Sequence, residues 1–285
     1  MRIEYDKGDA HGRFGAEVLD VDLARPLRES HRDALIGALA EAGVLVVRGQ
    51  SLCLDDLKRV TRIFGDLLRV PYVAPCPEDP DVIAVLKEDD ERDISPFGGD
   101  WHSDFSFLAR PPGGSVLYAV DVPPIGGDTL WADQTAAYDS LPSALAERVI
   151  GRQAIHVGAP YGERYSPDPT LKLSRSIQMR RGDRKADEER PHPLVRTHPV
   201  TGQRSLFVNP IYTVRIEGYG DQEGRDLLQA LYRHATHPSR IFRHRWTAGD
   251  VVMWDNRTTL HRAPNDYDGY RRLLYRTTFS GEAPY

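Results

Sequence analysis

Two cysteines, Cys53 and Cys76, are all that the 285 residues hold. That excludes a disulfide framework and a cysteine-built zinc cluster, and it suits a reducing, cytoplasmic setting. Long apolar runs are missing too. Nothing approaches the roughly 20 residues of a membrane span, and the opening MRIEYDKGDA lacks the apolar segment of a signal peptide. Charge of one sign is also scarce: 37 Lys and Arg against 42 Asp and Glu leave a net −5, without the basic footprint of a nucleic-acid binder. There is no internal repeat, low-complexity tract or clear linker. What remains, 40% hydrophobic and 28% charged, is long enough for one large soluble domain with its own core. Its expected partners are small molecules, with a homo-oligomer left open.

The local pattern predicts a mainly β domain with flanking helices, an α+β chain. Residues 30–42 carry Leu35, Ile36, Leu39 and Ala40 at helical spacing, with Ser30 as the expected cap and Gly43 as the stop. VLVVRG (44–49) follows as a buried strand. LDDLKRVTRIFGDLL (54–68) repeats the helical period, as does 221–238. Segments such as SVLYAVDVPP, QAIHVG, SLFVNP, IFRHRW, DVVMWD and YRRLLYRTTFSG are short, β-rich and closed by turn residues. Residues 160–193 are highly charged and aperiodic, either a solvated excursion or a lid over a site.

Of ten histidines, two sit in a His-x-Asp pattern. His31 and Asp33 fall at a helix start, where positions i and i+2 diverge. His102 and Asp104, in GGDWHSDFSF, lie in a stretch too short and too aromatic for a helix. On extended chain they converge. One further histidine would complete the facial donor set of non-haem iron(II), leaving the opposite face open for an oxidant and O2. His244 alternates with Phe242 and Trp246 and reads as a core histidine. His192 and His198 adjoin prolines, where exposure is expected, and His156 reads as a pocket wall. His261, at the end of a core strand and just before an arginine-rich one, is the choice for the third ligand.

In RRLLYRTTF, Arg272 and Arg276 are four apart on a strand and share one face, roughly 13 Å apart. On an exposed edge they would mean little. On an inner face they need anions, which points to a dicarboxylate co-substrate and an acidic substrate. Thr129 follows the Gly126-Gly127 turn and opens another strand.

Together these pieces resemble the taurine/2,4-dichlorophenoxyacetate dioxygenase (TauD/TfdA) family over nearly the whole chain. GVLVVRGQ, FGDLLRVPY, WHSDFSFLARPPGGSVLYAVDVPPIGGDTLWAD, HPLVRTHPVTGQRSLFVNP and WDNRTTLHRAPNDYDGYRRLLYRTT carry the likeness. The resemblance implies a double-stranded β-helix, or jelly-roll. It implies Fe(II) held by His102, Asp104 and His261, and 2-oxoglutarate held by Thr129 and Arg272. Arg276 matches the arginine that reaches an acidic substrate, with Tyr72 as a wall of the same pocket. Taurine-type members grip a sulfonate with a histidine where this chain has Leu68, Arg69 and Val70, and an asparagine commonly stands where it has Phe97, Gly98 and Gly99. Taurine is therefore not expected as the substrate. The glycines, with Gly158, would leave room for a bulkier one.

The implied reaction oxidises 2-oxoglutarate to succinate and CO2 and hydroxylates a substrate C–H. Where that carbon bears oxygen, sulfate or sulfur, the product collapses with C–O or C–S bond cleavage. Asp104 argues against a halogenase, which gives up the carboxylate to make room for halide. A desaturase or cyclising oxidase on the same iron site is the alternative, and a non-catalytic jelly-roll that binds a small acid is the rival from another class.

Overall fold

The computed structural model describes residues 1–6, 13–94, 97–164 and 176–285. Among these residues fifteen strands and five α-helices follow in the order β1 (Arg2–Tyr5), β2 (Ala16–Leu19), α1 (Glu29–Ala42), β3 (Val44–Val47), α2 (Leu54–Thr61), β4 (Ile83–Lys87), β5 (Gly114–Asp121), β6 (Thr129–Asp133), α3 (Gln134–Asp139) and α4 (Ser143–Val149). Then come β7 (Gln153–His156), β8 (Arg190–Pro193), β9 (Val195–Thr197), β10 (Arg204–Leu206), β11 (Thr213–Ile216), α5 (Asp221–Ala235), β12 (Ile241–His244), β13 (Val251–Asp255), β14 (Thr259–Arg262) and β15 (Arg272–Phe279). The chain is mainly β, as expected. Among the described residues no helix is long and apolar enough to cross a membrane.

Seven strands form the main sheet in the order β1-β2-β3-β13-β5-β15-β4. β13 lies between β3 and β5, and all five of its residues are buried. That explains the unbroken apolar run VVMW, since a strand covered on both faces cannot alternate. β15 lies between β5 and β4, so its arginines are on an interior strand rather than an edge. A second sheet, β12-β6-β14, packs on the first through Trp131, Trp246, Val252, Trp254 and Leu274. Burying each such side chain is worth about 1.5–3 kcal/mol. This pairing of sheets places Thr129, His261 and both β15 arginines near one another.

α1 covers the outer face of the main sheet with Leu35, Ala38, Leu39 and Ala42. Gly43 ends it at φ 68°, a left-handed conformation that glycine adopts without a Cβ clash, and its N–H donates to the Leu39 carbonyl. Two helix boundaries differ from the sequence reading. α1 begins at Glu29 after Arg28, so Ser30 lies within the first turn and no side chain caps the helix. α2 stops at Thr61 rather than near 68. Ile63 and Phe64 donate to carbonyls three residues back, and the Leu68 N–H then bonds the Thr278 carbonyl, so pairing with β15 captures the chain. Within the charged stretch 160–193 a 3-10 turn spans Arg184–Asp187 and β8 takes the last four residues. Residues 165–175 of that stretch lie outside the described residues.

Candidate active site

Three side chains from two distant stretches meet inside the fold. The His102 N–H donates to the His261 carbonyl at 3.0 Å, and the His261 N–H returns a bond to His102 at 2.8 Å. Their rings stand 4.2 Å apart. Asp104 Oδ1 lies 3.7 Å from His102 Nε2 and 3.6 Å from His261 Nε2. Ligand atoms of all three buried residues fall within 4.8 Å of one another. The convergence of His102 and Asp104 does not come from a continuous strand. Only His102 is in an extended bridge; Asp104 starts a turn, and Phe105 bends it at φ 46°.

The donors are in the state a divalent cation requires. Burial pushes both imidazoles down, His261 well below its ordinary value, so they are neutral with a lone pair to offer. His102 Nδ1 must donate to the Asp100 carbonyl 2.8 Å away, because that oxygen can only accept, and this leaves the lone pair on Nε2. Burial would raise the Asp104 carboxyl, but the Arg276 guanidinium beside it holds it well below the usual carboxylate range. Its two oxygens divide their duties. Oδ2 takes Arg276 Nη2 at 2.5 Å and accepts from Ser115 Oγ and Asn256 Nδ2, each at 3.3 Å. Oδ1 is left to the histidines. Two neutral nitrogens and one carboxylate oxygen fit ferrous iron.

The same pair of sheets buries a cation with no ion-pair partner among the described residues. Arg272 is 3% exposed, its guanidinium 5.8 Å from the rings of both Trp246 and Tyr267. Nη2 donates to Thr129 Oγ1 at 3.4 Å, and Nε has no partner. Asp128 and Asp266 act on it only through space. Asp128 pairs with Arg243 at 2.5 Å, and Asp266 accepts from the Gly127 N–H at 2.7 Å. Burial lowers the Arg272 pKa, yet an arginine stays protonated in a protein. Thr129 Oγ1 also accepts from Trp246 Nε1 at 2.9 Å, so its own proton remains to be given. A carboxylate here would meet a fork of donors and a hydroxyl.

Arg276 is buried over Trp254, 5.4 Å from its ring. It also forms the inner wall of a cavity of about 390 Å³, whose other walls include Leu68, Val70, Pro71, Val73 and Ile83. Arg180 and the Arg69–Asp81 pair lie at the same cavity.

The description "Taurine catabolism dioxygenase TauD, TfdA family" matches residues 6–278. The chain belongs to the TauD/TfdA family. It is 35% identical to an alpha-ketoglutarate-dependent sulfate ester dioxygenase of Pseudomonas putida, over 99% of this chain and 91% of that one. It is also 35% identical to an alpha-ketoglutarate-dependent 2,4-dichlorophenoxyacetate dioxygenase of Cupriavidus pinatubonensis, over 96% of each. The crystal structure of AAD-2 in complex with Mn(II) and N-oxalylglycine superimposes with a TM-score of 0.79 at 26% identity, covering 99% of both chains.

Of the other histidines weighed as ligands, His156, His192, His198 and His244 are all buried within the fold. Exposure of His192 and His198 is not what the structure shows: both are buried. The prolines flanking His192 bound a short strand rather than a surface loop, and His192 Nε2 donates to the Leu108 carbonyl at 3.0 Å. His198 Nε2 donates to Asp255 Oδ2 at 3.2 Å, while its Nδ1 accepts from the Val200 and Thr201 N–H groups. His156 is fully buried, held by Ser106 at 2.9 Å and stacked on Phe207. His244 is in the core, edge-on to Trp246 at 4.6 Å, as read.

Tyr72 stacks on Tyr161 at 4.8 Å in an aromatic cluster with Phe105, Phe107 and Tyr212. Gly158 leaves no room for substrate, because a Cβ there would sit 2.6 Å from the Phe107 ring and 3.0 Å from Ala186. Ser115, Trp246, Asn256 and Tyr267 were not singled out from sequence. Only Trp246 had a signal, its alternation with His244 and Phe242.

Proposed function

We propose that this iron- and 2-oxoglutarate-dependent dioxygenase hydroxylates an unactivated C–H of a small anionic organic substrate other than taurine. The hydroxylated carbon carries an ester or ether oxygen, so the product breaks its C–O bond. The observation that carries the reading is Arg272: a buried guanidinium with no ion-pair partner among the described residues, donating to Thr129, in a fold that also gathers the His102, Asp104 and His261 donors. We assign the three donors to iron, and Arg272 with Thr129 to the far carboxylate of 2-oxoglutarate. Residues 1–285 are read as one dioxygenase domain on a double-stranded β-helix.

Iron and 2-oxoglutarate, when bound, supply the oxidation: decarboxylation to succinate and CO2, coupled to insertion of one oxygen atom of O2 into the substrate. The chain's own residues do the placing. Ser115, Asn256 and Arg276 hold Asp104 Oδ2, which directs Oδ1 to the histidine pair. Trp246 fixes the Thr129 hydroxyl. The cavity at Arg276 supports the substrate class, since it sets Arg276 and Arg180, with Arg69 already paired to Asp81, among mostly apolar walls. The relatives named for sulfate esters and for 2,4-dichlorophenoxyacetate take substrates of that description, an anion joined to an apolar body. Leu68, Arg69 and Val70 occupy the segment where a sulfonate-gripping histidine would be expected in a taurine-type enzyme.

The test is succinate release from 2-oxoglutarate under Fe(II), ascorbate and O2 across alkyl sulfates, aryloxyacetates and sulfonates, with product masses read alongside. Coupled turnover with alkyl sulfates or aryloxyacetates but not taurine is expected. Taurine as the preferred substrate would overturn the reading, and a product lighter by two hydrogens would make the enzyme a desaturase.

A further inference from the structure

Arg276 serves two masters in this fold. On one side its Nη2 lies 2.5 Å from Asp104 Oδ2 and donates to Ser115 Oγ at 2.9 Å. On the other it lines the apolar cavity, where the one carboxylate among the described lining residues, Asp81, is taken by Arg69, and Arg180 is a further cation. Its Nε is buried and unpartnered. A substrate anion entering the cavity meets a guanidinium already committed to a residue of the iron-binding set. One cation cannot fully serve two anions in a medium of low dielectric, so each weakens the hold of the other.

We propose that Arg276 is a shared cation that couples the cavity to the metal centre. With the cavity empty, Arg276 neutralises Asp104 and lessens the attraction of that carboxylate for a metal ion. An anion in the cavity draws the guanidinium toward itself. Asp104 then keeps only the two neutral donors on Oδ2, Ser115 and Asn256, at 3.3 Å each. A buried carboxylate deprived of its cation gains more from a divalent ion. Anion and metal therefore bind with positive coupling, and linkage requires the loaded enzyme to bind the anion more tightly by the same factor. The site thus favours substrate on the metal-loaded enzyme. This rests on the substrate reading above, because it needs an anion in the Arg276 cavity.

The test is anaerobic calorimetric titration of Mn(II) into the full chain at pH 8, alone and with saturating hexyl sulfate or phenoxyacetate. The wild type should bind Mn(II) about fivefold or more tightly with either anion, and no more tightly with 1-hexanol. Arg276→Gln should bind Mn(II) more tightly than the wild type without any anion, and the anions should change nothing further. A purely structural Arg276 predicts the reverse, weaker Mn(II) binding on substitution, and that result would overturn the proposal. If the variant does not fold, the wild-type titration decides alone. Anions that bind without changing Mn(II) affinity sink the coupling and leave the substrate reading standing. If neither anion binds the wild type, both readings fall.

Discussion

His102 and His261 are joined by their backbones: each donates its N–H to the carbonyl of the other, at 3.0 and 2.8 Å. The two nitrogen donors are thus fixed by a β-bridge, independently of any ion. A preformed site binds the folded chain and not the unfolded one, so metal should raise thermal stability. At a concentration 100 times the dissociation constant the gain is about 2.7 kcal/mol, which is several degrees of melting temperature for a chain of this size. Differential scanning calorimetry with Mn(II) should show that rise for the wild type and none for Asp104→Ala or His102→Ala.

Asp104 and Arg272 should respond in opposite ways when the metal-free protein is unfolded by urea. Asp104→Ala strands Arg276 as a buried, unpaired cation, a loss of about 3–5 kcal/mol. Arg272→Met removes a cation that has no ion-pair partner among the described residues and replaces it with an apolar chain of similar length. Its urea midpoint should stay level or rise. The same variant should weaken 2-oxoglutarate binding by about ten- to a hundredfold, the worth of a charge-assisted hydrogen bond, as read by calorimetry. A large stability loss in Arg272→Met would show that Arg272 is balanced within the fold.

Acid should destabilise the metal-free protein well above the carboxylate range. Burial pushes His156 down to about 3 and His192 down to about 4, each from an ordinary value near 6.5. The sign follows: the unfolded chain takes up these protons below about pH 6.5 while the folded chain does not, so stability present above that pH is lost on the way down to about pH 3. Each histidine adds a slope of up to about 1.4 kcal/mol per pH unit. Urea midpoints measured from pH 7 to pH 5 should fall, and a His156→Gln, His192→Gln double variant should flatten the dependence.

The sequence made the site's chemistry more legible than its support. His102, Asp104 and His261 are chemically conspicuous, and an apolar run such as VVMW announces a central strand, so the line from β13 to His261 could be followed. The β15 arginines were legible because alternation along a strand is geometric. Ser115 and Asn256 were not, because a serine in a strand and an asparagine in a turn are what local propensity supplies anyway; only the fold brings them to Asp104. The burial of His192 and His198 failed to show for a related reason. Proline marks irregular chain locally, and whether that chain is covered depends on distant residues, here Leu108 and Asp255.

Gly98 offers a test of how closely the chain before Asp100 braces the His102 ring. It sits at φ 76°, and a Cβ there would be 3.2 Å from His102 Cε1. Gly182 has a similar φ of 73° with nothing within 4 Å of its Cβ position. Alanine at either position pays the same backbone strain, about 1–2 kcal/mol. Only Gly98→Ala also presses on a residue of the metal-binding set, and disturbing the support of a ligand histidine weakens metal affinity by about tenfold or more. Mn(II) titration should therefore separate two variants that melt alike. Equal Mn(II) affinities would mean that the Asp100 hydrogen bond and the His261 bridge hold the ring without help from Gly98.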